Sequence, residues 1–167
     1  ANGAIVWLLK ADDNPVTALA AHPTQPLVLA GAADGRVSLW DMVNGAQIAV
    51  LEGHTTAVRF LAFAPQGDRA LSVDAAGQWI VWDVAQRSAV RQRTPTLTGT
   101  LSALTWTKDF ILGGTTAGEL LFADENLTFH HLPVSADTIA TVHLDAAGPA
   151  LIGTADGKIC LWGVLDD

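Results

Sequence analysis

Apolar residues in this sequence come in short bursts. Segments of strand length rich in Val, Ile, Leu and Trp, such as Ile5 to Leu9, Val58 to Phe63, Leu101 to Trp106 and Ile159 to Val164, are separated by Gly, Pro, Asp and Asn. Brief apolar runs bounded by turn formers predict β-strands. No stretch sustains the spacing of an amphipathic helix, so the predicted fold is all-β. Ala62-Phe63-Ala64-Pro65-Gln66-Gly67-Asp68 predicts a strand end followed by a hairpin turn. Ala20 to Pro26 and Leu144 to Pro149 occupy the same place elsewhere.

The pattern repeats at a fixed interval. Asp34-Gly35-Arg36-Val37-Ser38-Leu39-Trp40-Asp41 returns as Gly77-Gln78-Trp79-Ile80-Val81-Trp82-Asp83. It returns again, weakened, as Gly118 to Asp124 and then as Asp156 to Trp162. The marker glycines 35, 77, 118 and 157 lie 42, 41 and 39 residues apart, close to the period of about 40–45 of a four-stranded propeller blade. Asn2-Gly3 aligns with Asn44-Gly45, which matches Ile5 to Leu9 with Gln47 to Leu51. The chain thus divides into four units, about 1–41, 42–83, 84–124 and 125–167.

These units resemble the WD-repeat family over the whole chain. Trp40-Asp41 and Trp82-Asp83 keep the Trp-Asp pair, Ala123-Asp124 and Trp162-Gly163 vary it, and Gly53-His54 keeps the opening Gly-His element. The resemblance implies β-propeller blades of four antiparallel strands, in which the outermost strand precedes the three inner strands of the next blade. The chain then opens on an outer strand and closes on an inner one. Such rings usually need about seven or eight blades, so four repeats predict a half-propeller or part of a seven- to eight-bladed ring, with a closed four-bladed propeller domain as the remaining alternative. The exposed faces of a half-propeller invite completion by a second copy or by the remaining blades of a longer protein.

Composition narrows the function. Half of the 167 residues are hydrophobic, 16% are charged and the formal net charge is −8. Lys and Arg do not cluster beyond Arg87, Arg91 and Arg93, which argues against a nucleic-acid partner. No apolar run reaches the 18 or so residues of a membrane-spanning helix. The lone Cys160 permits no intrachain disulfide and leaves the compartment open. No nucleophile elbow, phosphate loop, dinucleotide fingerprint or zinc spacing occurs, so no enzyme, cofactor or metal is expected. His130 and His131 are expected on opposite faces of an outer strand, one at the surface and one half-buried.

The family's blades are braced by a hydrogen-bonded set of His, Asp, Ser or Thr, and Trp. Carried over, the set survives only in pieces. His54, Ser72 and Trp82 belong to the second repeat, with Ala76 where the Asp is expected. Asp34 and Trp40 belong to the first, with Asp12 and Ala30 at the His and Ser positions. Asp156 and Trp162 belong to the fourth, with Ser135 at the His position. Partners of the family dock on the loop rim, which here maps to Pro15, Thr17 and Ala33; Ala57, Arg59 and Ala75; Thr100, Ser102 and Thr116; and Thr138, Ala140 and Ala155. Arg59 is the one residue of hot-spot type among them, with Thr17, Ala57, Thr116 and Thr138 beside it, and Trp7 is placed at a surface or ring-closing seam. The expected function is a non-catalytic protein-interaction scaffold for complex assembly. The alternative is a propeller module of a larger protein that carries an enzymatic or redox domain.

Overall fold

In a computed structural model of the chain, residues 13–144 and 150–162 are described, apart from the side chains of Leu144 and Trp162. Trp7, Asp12 and the strand expected at Ile5 to Leu9 therefore lie outside the described residues, as does the Trp162 side chain. Every regular element among the described residues is a strand, and the chain forms two compact units, residues 1–90 and 91–167.

The first unit holds two four-stranded antiparallel sheets. One runs β1 (Val16–Ala21), β2 (Leu27–Ala32), β3 (Val37–Asp41) and β4 (Ala46–Leu51) in spatial order. The other repeats it as β5 (Val58–Phe63), β6 (Arg69–Asp74), β7 (Trp79–Asp83) and β8 (Ser88–Arg93). The second unit holds β9 (Leu101–Trp106), β10 (Ile111–Thr115), β11 (Glu119–Ala123) and β12 (Phe129–Pro133) in one sheet. A three-stranded sheet follows, made of β13 (Ile139–Leu144), β14 (Ala150–Thr154) and β15 (Ile159–Trp162). Four strands per blade are thus observed in three sheets, and the fourth sheet shows three among the described residues.

Local chemistry explains the recurrence. Each marker glycine sits in the turn between a sheet's second and third strands with φ between 77° and 93°, a region that suits Gly because it has no Cβ. Its N–H bonds the carbonyl three residues back, as in Gly77 to Asp74 at 3.0 Å and Gly157 to Thr154 at 3.1 Å. The turn into the outermost strand also needs φ > 0. Gly45 supplies it at 70°, but Arg87 at 56° and Leu127 at 59° hold the same place in the next two sheets. In every first strand one residue is skipped by the pairing register: Thr17, Arg59, Ser102 and Ala140. A bulge that recurs at one position re-aims the side chain it carries.

Sheets pack face to face within each unit. In the first, Leu29, Val37, Leu39 and Leu51 meet Val58, Phe63, Ala70, Ile80 and Trp82. In the second, Ala103, Leu112 and Leu120 meet Ile139, Val142, Ala150 and Ile152. A buried Leu or Ile side chain contributes about 1.5–3 kcal/mol relative to exposure, so these clusters dominate each unit's stability. Contact is close at Gly31, where a Cβ would lie 2.6 Å from Val58 Cγ1 and 3.3 Å from Leu61 Cδ1. At Gly114 it would lie 2.8 Å from Ile139 Cβ and 3.5 Å from Val142 Cγ1. Gly31→Ala should therefore destabilise the first unit by about 2 kcal/mol in urea unfolding, through overpacking. The same change should cost clearly less in a Val58→Ala background, and equal costs in both backgrounds would show that the contact does not govern the packing.

Candidate functional site

The loop rim is built by a repeated backbone bond. The residue before each first strand accepts a hydrogen bond from the residue after each second strand. The pairs are Ala33 N–H to Pro15 O at 2.9 Å, Ala75 to Ala57 at 2.8 Å, Thr116 to Thr100 at 2.9 Å and Ala155 to Thr138 at 2.9 Å. The rim positions mapped from sequence are thus neighbours within each sheet, with the bulge residue beside them. In the second unit the rim is hydroxyl-rich: Thr100 N–H donates to Thr116 Oγ1 at 3.0 Å, and Thr138 Oγ1 donates to Thr116 O at 2.9 Å.

The bulge residues differ in what they reach. Thr17 Oγ1 lies 3.1 Å from Gly31 O and 2.5 Å from Val58 O, so its hydroxyl joins the two sheets of the first unit. Ser102 repeats this in the second unit, 3.0 Å from Gly114 O and 2.6 Å from Ile139 O. Ala140 has no hydroxyl to offer. Arg59 is exposed on its bulge, and Ala57 beside it is half-buried, its carbonyl bound to Ala75. Arg59 is therefore the bulge residue with a large polar side chain turned to solvent.

The braced network is found in the second sheet, with its carboxylate supplied from an unexpected position. Trp82 Nε1–H donates to Ser72 Oγ at 2.7 Å, and His54 Nε2 lies 2.6 Å from the same oxygen. His54 Nδ1 lies 3.2 Å from Asp74 Oδ2, within ion-pair distance but off the axis of a linear hydrogen bond. Asp74 Oδ1 in turn accepts from Ala76 N–H at 3.0 Å and Gln78 N–H at 2.9 Å. The expectation of an absent Asp at position 76 is thus corrected: the carboxylate comes from two residues earlier, at the end of β6. Its place in the repeat is held by Ala32, Thr115 and Thr154 in the other sheets. The Thr115 hydroxyl caps its own turn, accepting from Ala117 and Glu119. A polar residue three before the marker glycine in three of four repeats was the signal that would have found Asp74.

Among the described residues, Asp34, Trp40 and Asp156 are not drawn into such a set. Asp34 closes its own turn, accepting from Arg36 N–H at 3.1 Å and from its guanidinium at 2.6 Å, with Asn14 also bonded to it at 2.9 Å. Trp40 is buried in β3 opposite Val28. Asp156 pairs with Lys158 and Thr154. His22, just past β1, is buried: its Nδ1 accepts from Thr24 and Gln25, so Nε2 carries the proton toward Gly67 O at 3.0 Å. His130 and His131 are both exposed, which corrects the half-buried assignment, because β12 is the sheet's outer strand and His131 turns to Glu119 at 3.0 Å. Among the described residues no group of three His, Cys, Asp or Glu could hold a metal, and no helix is long and apolar enough to cross a membrane.

A family model described as WD domain, G-beta repeat matches residues 3–41 and 45–83. The first half of the chain is thus made of WD repeats. Relatives agree: TFIID subunit 5 of Caenorhabditis elegans, a transcription initiation factor subunit, is 28% identical over 53% of this chain. Pre-mRNA-processing factor 19 of Bos taurus is 27% identical over 66% of it. The chain spans only 14% and 22% of the length of these two relatives. In fold it is similar to the computationally designed Ika4 protein, with a TM-score of 0.81, 21% identity, and coverage of 96% of this chain and 98% of that one.

Electrostatics in these WD repeats follow from burial and turn geometry. Burial holds the His54 pKa below its ordinary value, against the opposing pull of Asp74. Asp34, Asp83 and Asp124 are held low chiefly by backbone N–H groups, of Arg36, Gln86 and Thr128 respectively. The hydrogen bond from Lys158 takes Asp156 down to about 2. Both kinds of shift destabilise the fold in acid, in separate windows. A base whose folded pKa is depressed favours the unfolded state once pH falls below its unfolded value near 6.5. Carboxylates with depressed values contribute stability that is present above about 4 and lost as pH falls toward 2. Between pH 7 and pH 5 the unfolding free energy should fall by up to about 1.4 kcal/mol per pH unit, and His54→Gln should flatten that slope. A slope unchanged in His54→Gln would show that His54 does not drive it. Ser72→Ala strips a partner from two buried ring nitrogens and should cost about 2–4 kcal/mol at pH 7 in urea unfolding.

Proposed function

We propose that the chain is a non-catalytic scaffold whose loop rim docks other proteins during assembly of a multiprotein complex. The observation that carries this reading is the burial of the one Ser–His–Asp set among the described residues. Ser72 is fully buried, and His54 and Asp74 are nearly so, locked under the Trp82 indole. Groups of nucleophile and base type are thereby directed into the core as a brace rather than toward a solvent-facing substrate. The relatives give parallel support, one being a subunit of a transcription initiation factor by name.

Arg59 is the docking residue of this reading. Its bulge lifts it from the sheet, small neighbours leave it accessible, and guanidinium groups are favoured at interface hot spots. Thr116 and Thr138 offer a second polar patch on the second unit's rim, and Ala57 supplies room beside Arg59. Thr17 contributes indirectly, by fixing the sheet pair beneath the rim. The same reading has the repeats completed from outside the chain, by a second copy or by further blades, since rings of this kind usually exceed four.

Arg59→Ala should weaken a co-purifying partner by about 2 kcal/mol, roughly 30-fold in Kd, measured by interferometry with the partner recovered from the native complex. Arg93→Ala, on the outer strand β8, should leave that affinity unchanged. Equal binding by wild type and Arg59→Ala would move the docking surface off this rim. Elution of the chain from its native source without any partner would overturn the scaffold itself.

A further inference from the structure

Two sheet-to-sheet contacts inside this chain share one device. A glycine in the second strand of one sheet leaves a cradle, and two apolar residues of the next sheet's first strand fill it. Gly31 receives Val58 and Leu61, and Gly114 receives Ile139 and Val142. Around each cradle the same apolar frame recurs: Leu29, Val37 and Leu39 for Gly31, and Leu112, Leu120 and Phe122 for Gly114. The first two of each frame are fully buried or nearly so.

The fourth sheet carries the same frame without a filler. Gly153 in β14 is the counterpart of Gly31 and Gly114, and Leu151, Ile159 and Leu161 are the counterparts of Leu29, Val37 and Leu39. Register places Leu151 with Leu161 and Gly153 with Ile159 on one face. Their exposures are 38% for Leu151, 79% for Ile159 and 71% for Leu161, where Val37 and Leu39 stand at 0% and 3%. A Cβ on Gly153 would meet only Thr141 of its own sheet, at 2.8 Å. The first sheet shows the opposite vacancy. Val16 and Leu19 in β1 are the counterparts of Val58 and Leu61, yet Val16 is 49% and Leu19 67% exposed, where Val58 is at 0%. A cavity of about 140 Å³ opens beside Val16, lined by Ala30, Ala32 and Ser38.

We propose that a second copy of this chain seats its Val16 and Leu19 in the Gly153 cradle, between Leu151, Ile159 and Leu161. The inference rests on the reading that the repeats are completed from outside, and it names the two faces that meet. A second copy is the occupant because the chain itself carries both halves of a contact it makes twice internally. The residues that would meet, Val16 and Leu19 with Leu151, Ile159 and Leu161, are all uncharged, and the ions beside them, Asp34 and Arg36 at the Val16 cavity, are already paired with each other, so the pairing buries chiefly apolar surface. The two faces differ from each other, which makes the contact head-to-tail: it closes into a ring or propagates.

The test is the solution mass of the whole chain by light scattering after size exclusion, from about 5 to 200 µM. Wild type should run at twice 17.5 kDa or more. Val16→Glu and Ile159→Glu should each run as single chains, with circular dichroism unchanged and a concentration-independent urea midpoint equal to that of wild type diluted to single chains. Both positions are solvent-exposed in the single chain, so a folding defect would be seen as a shifted midpoint. Mixing the two variants should restore pairing, because one keeps an intact cradle and the other an intact pair of fillers. Wild type at 17.5 kDa throughout overturns both the inference and completion by a second copy. A paired wild type whose two variants also stay paired overturns the face assignment alone, as does a mixture that fails to associate.

Discussion

The contact on which the described architecture depends is the approach of a β-branched side chain to a bare backbone. Val58 over Gly31 and Ile139 over Gly114 bring a first strand nearer to the preceding sheet than any side chain at the glycine would allow. Close packing at that point lets the flanking leucines, Leu29 and Leu39 in one unit and Leu112 and Leu120 in the other, interdigitate with the next sheet. The hydroxyls of Thr17 and Ser102 reach across to the carbonyls of Val58 and Ile139 because of this proximity. Packing and hydrogen bonding are therefore one feature: the glycine brings the carbonyl near, and the bulge aims the hydroxyl at it.

Each rim pair closes the same backbone bond, at Ala33, Ala75, Thr116 and Ala155. The bulge holds Arg59 where its counterparts hold Thr17 and Ser102, which face inward to bond carbonyls. The same backbone irregularity thus braces two sheets and, in a third, presents a cation to solvent.

Much of this was legible in the sequence. Strand positions, the all-β class and the four-fold recurrence follow from apolar bursts and marker glycines, since a turn that demands φ > 0 leaves a residue-specific trace. Other features were hidden for physical reasons. Asp74 escaped notice because its carboxylate enters the network from the strand end rather than from the turn, and sequence alignment does not report side-chain reach. Arg87 and Leu127 conceal turns that Gly45 advertises, because their left-handed conformation is imposed by the surrounding hairpin rather than by residue type. Thr17 reads as a rim residue by position, and only register shows that a bulge turns its hydroxyl toward the next sheet.

The uneven distribution of polar bracing has a consequence for how the sheets within each unit hold together. The second sheet alone combines His54, Ser72, Asp74 and Trp82 in a connected set, while the first sheet has Ala30 and Ala32 at the positions of Ser72 and Asp74. A connected buried network adds specificity to apolar packing, because any misregister of β6 and β7 leaves several groups unpaired at once. The first sheet has no such penalty of its own and takes its register from the neighbour: Thr17 from Val58, His22 from Gly67 and Gly31 from Val58. One well-specified sheet can in this way align a plainer one. In the second unit that role falls to the Ser102 clamp and the Gly114 cradle, with threonines in place of the carboxylate. Faces without such a neighbour, those of Val16 and of Gly153, are where the chain's packing is incomplete.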